Sequence, residues 1–277
     1  VAGEVAAPGA WHGGAFGERG RCVLAPNADV MTLDGTNTWV LREPGARRSV
    51  VVDPGPRILA HLDAVAEEAG DVAAVLLTHH HADHAEAARE FAERVGCGVR
   101  ALDPAYRLGD EGLGDGDVVE VDGLEVHVVA TPGHTADSLS FLLPAEGALL
   151  TGDTVLGRGT TVVAHPDGQL GAYLDSLERL HALAEAREAR WVWPGHGPVL
   201  PDALGVLELY RAHRRDRLAQ VEAALGALQD AAGGVEALDE ETLPRRVVEV
   251  VYADVDPVLW GAAELSVRAQ LAYLRGR

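Results

Sequence analysis

The chain contains no lysine: all 23 of its basic residues are arginines, set against 43 acids and a formal net charge of −20. That absence excludes Schiff-base chemistry and lysine general bases. The excess of acid argues against a nucleic-acid partner, because such binders present basic surface to displace counterions from phosphates. Among so many Ala and Gly residues, arginine-only usage is explained by GC-rich codons. Cysteine is scarce as well. Cys22 and Cys97 are too few and too isolated for a disulfide framework or a thiolate metal site, and are expected as small buried apolar residues. No apolar run reaches the about 18 residues that would mark a membrane span. Val1 to Gly20 lacks a basic end followed by an apolar stretch, so a signal peptide is not expected and the cytoplasm is the default location.

What remains is ample for a core: 277 residues, 47% of them apolar, suit one large domain with a small one attached, or two domains. The densest chemistry lies in Thr78-His79-His80-His81-Ala82-Asp83-His84. Asp71 to Leu77 before it is a short, nearly continuous apolar run that reads as a buried strand, so the histidines sit on the loop at its end. A metalloprotease helix would need two His four apart with a Glu between them, and this spacing does not supply that. His79 and His81 can face one way while Asp83 and His84 face another, so one loop can serve two adjacent ions.

Two metal sites need more ligands than one loop supplies. Three further segments repeat the pattern of a strand followed by a potential ligand. Val126 to Thr131 leads into Pro132-Gly133-His134, Gly147 to Gly152 into Asp153, and Arg190 to Gly195 into His196. The order His79-x-His81-x-Asp83-His84, then His134, Asp153 and His196, resembles the metallo-β-lactamase superfamily over roughly residues 20 to 200.

The resemblance implies an α/β fold, an αββα sandwich of two mixed sheets with helices outside and the site at one edge. It also implies a ligand set: His79, His81 and His134 on a first metal, Asp83, His84 and His196 on a second, and Asp153 bridging. Two zinc ions suit the imidazoles, and the carboxylates leave Fe or Mn open at either site. The implied nucleophile is a hydroxide held between ions roughly 3.5 Å apart. Asp83 would orient it, and Asp83 or a water would return a proton to the leaving group.

Supporting groups should orient such ligands. Asp53, at the end of the apolar run Val50-Val51-Val52, is the first candidate, followed by Asp137 and Ser138, which read equally well as turn residues. His80 is expected to point away from the ligands. His12, His61, His127, His165, His181 and His213 lack partners at useful spacing, with His165 the one to watch.

The organisation expected is an irregular segment over residues 1–20, a hydrolase domain over 21–203 and a helical, winged-helix-like domain over 204–277. Helical patterns run from Leu204 through Leu225 to a break at Ala231-Ala232-Gly233-Gly234, then from Glu241 through Val251, and from Pro257 to Leu274. Leu33-Asp34-Gly35-Thr36-Asn37-Thr38-Trp39, Tyr173-Leu174-x-Ser176-Leu177, His213-Arg214 and Val251-Tyr252 are similar to the lactamase-beta-2-like branch, in which a winged-helix-like domain follows the hydrolase domain. Residues 207 to 277 hold nine Arg and twelve acids, so DNA reading is not expected of them. These helices could form a lid or a homodimer contact.

The function expected is metal-dependent hydrolysis of a small-molecule ester or acyl thioester. The alternative is an endoribonuclease acting on single-stranded RNA, which calls for an Arg-lined groove using Arg158, Arg211, Arg214 or Arg215. A non-catalytic binding protein with a decayed site would have lost a ligand, and none is missing.

Overall fold

The structure, a computed structural model, describes residues 11–232 and 239–276. Six strands build a first sheet in chain order: Gly14–Phe16 (β1), Gly20–Leu24 (β2), Asn37–Leu41 (β3), Arg48–Val52 (β4), Asp71–Leu76 (β5) and Gly98–Arg100 (β6). Six more build a second: Val118–Val121 (β7), Leu124–Ala130 (β8), Leu139–Leu143 (β9), Ala148–Gly152 (β10), Trp191–Pro194 (β11) and Leu200–Pro201 (β12). Strands β3, β9 and β10 are buried at every position, each covered by the other sheet on one face and by helices on the other, so they are largely apolar and the polar side chains they carry, Asn37, Thr38, Ser140 and Thr151, are hydrogen-bonded. Strand β7, at an edge, alternates exposed and buried instead.

Leu59–Ala69 (α1) and Ala88–Val95 (α3) cover the first sheet, packing Leu62, Val65 and Phe91 on Val40, Val51 and Val75. The one-turn helix Ala82–Ala85 (α2) lies between them in sequence. Leu170–Ala186 (α4) and the start of Ala203–Ala232 (α5) cover the second sheet, packing Tyr173, Leu177 and Leu207 on Leu142, Leu149 and Val192. The layers are therefore helix, sheet, sheet, helix. Trp39 of the first sheet stacks on Trp193 of the second at 4.8 Å between centroids, and Phe16 meets Trp39 edge-on at 5.7 Å. This aromatic contact explains Gly20, where a Cβ would lie 2.3 Å from the Trp193 ring.

Three features differ from the expected organisation. Residues 14–16, expected in an irregular segment, form β1, because Phe16 finds an aromatic pocket that their Gly- and Ala-rich neighbours do not advertise; residues 1–10 of that segment lie outside the described residues. The 203/204 boundary falls at the start of a 30-residue helix whose first half belongs to the sheet packing, through Ala203, Leu207 and Tyr210. Its later turns join a separate cluster, where Val221 and Ala224 meet Val247 and Val248 of Leu243–Val251 (α6) and Val267 and Leu271 of Trp260–Arg275 (α7). After β12 the described residues contain helices and no strand that would make a wing. Gly233 and Gly234 of the expected break lie outside the described residues.

Strand direction sets where the site forms. β4 and β5 are parallel, β10 and β11 are parallel, and β8 runs with β10 because each is antiparallel to β9. The carboxyl ends of β4 and β5 thus open together on one sheet, and those of β8, β10 and β11 on the other. No described helix is long and apolar enough to cross a membrane.

Candidate metal centre

All seven residues expected as ligands stand just beyond those strand ends, and the fold brings them together. His79 and His81 follow β5 directly, with His81 at the N-cap of α2 and Asp83 and His84 inside its single turn. His134 follows β8, Asp153 follows β10 and His196 follows β11. The two sheets are joined here by backbone: Leu139 N–H donates to Thr78 O at 2.8 Å and Asn37 N–H to Gly195 O at 2.8 Å. Gly195 is needed for close approach, since a Cβ there would lie 2.6 Å from Asp153 Oδ1 and 2.8 Å from the His84 ring.

Two groups result. In the first, His81 Nδ1 lies 3.1 Å from His79 Nε2 and 3.0 Å from His134 Nε2. In the second, His196 Nε2 lies 3.1 Å from His84 Nε2 and 3.0 Å from Asp83 Oδ2. Asp153 sits between them, Oδ2 at 3.7 Å from His134 Nε2 and 3.4 Å from His196 Nε2, and Oδ1 at 3.4 Å from His84 Nε2. Within each of the triplets His79–His81–His134, His79–His84–Asp153 and Asp83–His84–His196, the candidate ligand atoms lie within 4.8 Å of one another.

Hydrogen-bond accounting tests whether these groups fit cations. His134 Nδ1 donates to Val162 O at 2.7 Å and His196 Nδ1 to Gly35 O at 3.1 Å. Thr78 Oγ donates to Asp53 Oδ2 at 2.7 Å, so it accepts from His79 Nδ1 at 2.9 Å. The Nε2 atoms of neutral His79 and His134 are therefore bare, and both point at His81 Nδ1, whose one proton serves only one of them. Asp153 Oδ1 is buried and makes no hydrogen bond of good geometry, with His84 Nε2 standing off at 3.4 Å. Converging lone pairs and an under-bonded carboxylate oxygen fit divalent cations, and the His and Asp donor set suits zinc or iron. In tetrahedral zinc sites with bonds of about 2.0–2.1 Å, neighbouring ligand atoms stand roughly 3.3 Å apart, close to the separations seen here.

The electrostatics of the two groups differ. Burial holds His79 and His134 below the ordinary histidine range and lowers His81 to about 4, the neighbouring imidazoles adding to the effect. Burial opposes charge on His84 and His196 too, but Asp153, Asp83 and Asp53 outweigh it. The two rings face each other at 3.1 Å, and both are held above the ordinary histidine range, His196 at about 9. For Asp83 and Asp153, burial opposes ionisation, and His84 and His196 hold both carboxylates well below their usual range.

Asp53 lies where a supporting group would. Its carboxylate accepts from His84 Nδ1 at 2.9 Å and from both Thr78 N and Thr78 Oγ, and its φ of +50° is an uncommon conformation held by these bonds. Asp137 and Ser138 do not hydrogen-bond the candidate ligands. Ser138 Oγ and Asp137 Oδ1 each lie 2.7 Å from Thr135 Oγ in the turn after His134, and Asp137 Oδ1 also takes His80 Nδ1 at 2.7 Å. That bond keeps His80 outside the candidate ligand groups, although its ring stays 5.1 Å from that of His81.

His61 is a buried histidine beside Thr38, 2.9 Å from its Oγ, and His165 is exposed. Cys22 is buried and Cys97 half-buried, both unpaired. Sequence reasoning missed Thr78, Gly35 and Val162. Thr78 stood beside the motif, but the other two act through backbone carbonyls, which leave no mark in side-chain identity.

Comparison with known proteins places this geometry. The family model described as the metallo-beta-lactamase superfamily matches residues 31–196. A beta-lactamase-like protein 2 homolog from Drosophila melanogaster is 32% identical, over 91% of this chain and 86% of its own length. An atrochrysone carboxyl ACP thioesterase from Aspergillus fumigatus is 36% identical over 75% of this chain and 65% of its own length. The crystal structure of a metallo-beta-lactamase family protein from Thermus thermophilus superimposes with a TM-score of 0.69 at 25% identity, covering 92% of each chain.

Proposed function

The chain belongs to the metallo-β-lactamase superfamily, and from that premise we propose that it is a hydrolase which uses two divalent cations, zinc first among the candidates, to cleave a small acyl thioester or ester. The observation that carries this reading is the convergence of six candidate ligands, five His and Asp83, around Asp153, whose Oδ1 makes no hydrogen bond of good geometry. When bound, the cations supply Lewis acidity, making water nucleophilic at neutral pH and polarising the carbonyl under attack.

The chain's own residues do the rest. Val162 O, Gly35 O, Thr78 Oγ and the Asp53 carboxylate fix the rings of His134, His196, His79 and His84. Asp83 Oδ2 is engaged by His196 and His84, while its side chain is 28% exposed, so the carboxylate can accept a hydrogen bond from the attacking water and orient it. Held well below the usual carboxylate range, Asp83 rests ionised at neutral pH and brings no proton of its own to the leaving group. A thiolate, whose conjugate acid has a pKa of about 8.5, needs little protonation to leave, which favours thioesters over bonds with more basic leaving groups.

Placement of the arginines supports a small substrate over RNA. Arg158 is ion-paired with buried Asp34, Arg211 with Glu178, and Arg214 is buried. Of the four arginines that a nucleic-acid groove would recruit, Arg215 alone is exposed. The thioesterase among the relatives points to the same substrate class.

The test is a panel of acyl thioesters, a lactone, a chromogenic β-lactam and single-stranded RNA, run with wild type and Asp83→Ala. Thioester hydrolysis lost in the variant and after chelation is the expected result. RNA cleavage lost in the variant, with thioesters untouched by wild type, would overturn the substrate assignment.

A further inference from the structure

The loop after Asp153 is held by side chains from helices that no ligand belongs to. Tyr210 and Arg214, one helical turn apart on α5, both point into it and are both buried. The Tyr210 hydroxyl accepts from Leu156 N–H at 2.9 Å and faces Gly159 O at 3.1 Å. Arg214 Nη2 donates to Thr161 O, and Thr161 Oγ in turn donates to the Asp153 carbonyl. The guanidinium lies 4.8 Å from the centre of the Tyr173 ring, whose hydroxyl donates to Thr154 O at 2.7 Å. The next residue, Val162, supplies the carbonyl that orients His134.

Arg214 is an expensive way to make packing contacts. Its Nε is buried without a partner, and it forms no ion pair among the described residues. A buried guanidinium without a carboxylate is costly, and an apolar residue of similar length would fill the same space without that cost. The cost is intelligible if the group has a task that packing cannot perform.

We propose that Tyr210 and Arg214 are positioning residues for the metal centre: through the 154–161 loop they set the placement of Asp153 and, through Val162, of His134. The α5 helix thereby becomes part of the site's support, and the affinity for cations depends on it. This inference rests on Asp153 being a ligand.

The test measures metal affinity of the full-length chain by competition with a chromogenic chelator, alongside thermal melting of the metal-stripped protein. Arg214→Met is expected to weaken binding on the order of tenfold to a hundredfold, the range for groups that orient ligands. Arg214→Lys, which keeps the charge and a donor, is expected to recover part of the loss. In an Asp153→Asn background, Arg214→Met should cost clearly less affinity than it does in wild type, because the part transmitted through Asp153 is gone and only the part carried by Val162 and His134 remains. Tyr210→Phe keeps the ring and carries the test if Arg214→Met does not fold. Wild-type affinity in both single variants overturns the proposal, as does an Arg214→Met loss of equal size in both backgrounds. Wild-type metal content in Asp153→Asn removes the ligand reading and this inference together. Impaired binding in Asp153→Asn with normal binding in Arg214→Met removes this inference alone.

Discussion

The two halves of the centre are built from the same residue type on opposite electrostatic principles. His79, His81 and His134 are kept neutral by burial, with His81 at about 4. His84 and His196 are equally buried, yet both are held above the ordinary histidine range, His196 at about 9, because Asp153, Asp83 and Asp53 surround them. A cation entering the first half finds bare nitrogens. One entering the second must first displace a proton. Carboxylate placement, more than the count of histidines, decides how each half responds to its environment.

Removing Asp153 strikes both halves at once. Asp153→Ala is expected to lower kcat/KM at least on the order of a hundredfold to a thousandfold, the range for loss of one charge-stabilising group, and to leave fewer than two metal equivalents by elemental analysis. Unchanged content would show that the halves are independent of the residue between them. Asp53→Ala should break only the second half, since Asp53 touches His84 and reaches the first half through Thr78 alone. Stepwise chelation should then show one equivalent weakened by about tenfold to a hundredfold and the other nearly intact.

The gentlest probe is pH. Below about 9 the second half competes with a proton for the His84–His196 pair, so its affinity should rise with pH by up to about tenfold per unit between pH 6 and 8. The first half, already neutral well above pH 4, should stay flat over that window. Metal titrations at several pH values check both slopes, and equal slopes would erase the distinction between the halves.

The candidate ligands that the fold brings together were legible in the sequence because each follows an apolar strand and is chemically conspicuous. The supports were legible only where they used the same device. Asp53 ends an apolar run and could be found, whereas Val162 and Gly35 contribute carbonyls that any residue would provide. Asp137 and Ser138 lay beside His134 in sequence, yet bond within its turn and to His80, because adjacency along a chain does not set side-chain direction. The sandwich itself was implied by family resemblance, and β1 went unnoticed because a three-residue strand containing Gly and Ala has no alternation to detect. Phe16, packed near both Trp39 and Trp193, was its one available signal. The long α5 hid a different problem, since an unbroken helical pattern does not reveal that its two ends serve two cores.

Each sheet is assembled from one uninterrupted half of the polypeptide, β1 to β6 and then β7 to β12. The link between them passes through the exposed residues Gly109, Asp110 and Glu111. A nick there would leave every strand with its neighbours and divide the candidate ligands, His79, His81, Asp83 and His84 on one fragment and His134, Asp153 and His196 on the other. The molecule is thus laid out for fragment complementation, in which cation uptake reports the moment two separately made pieces find each other.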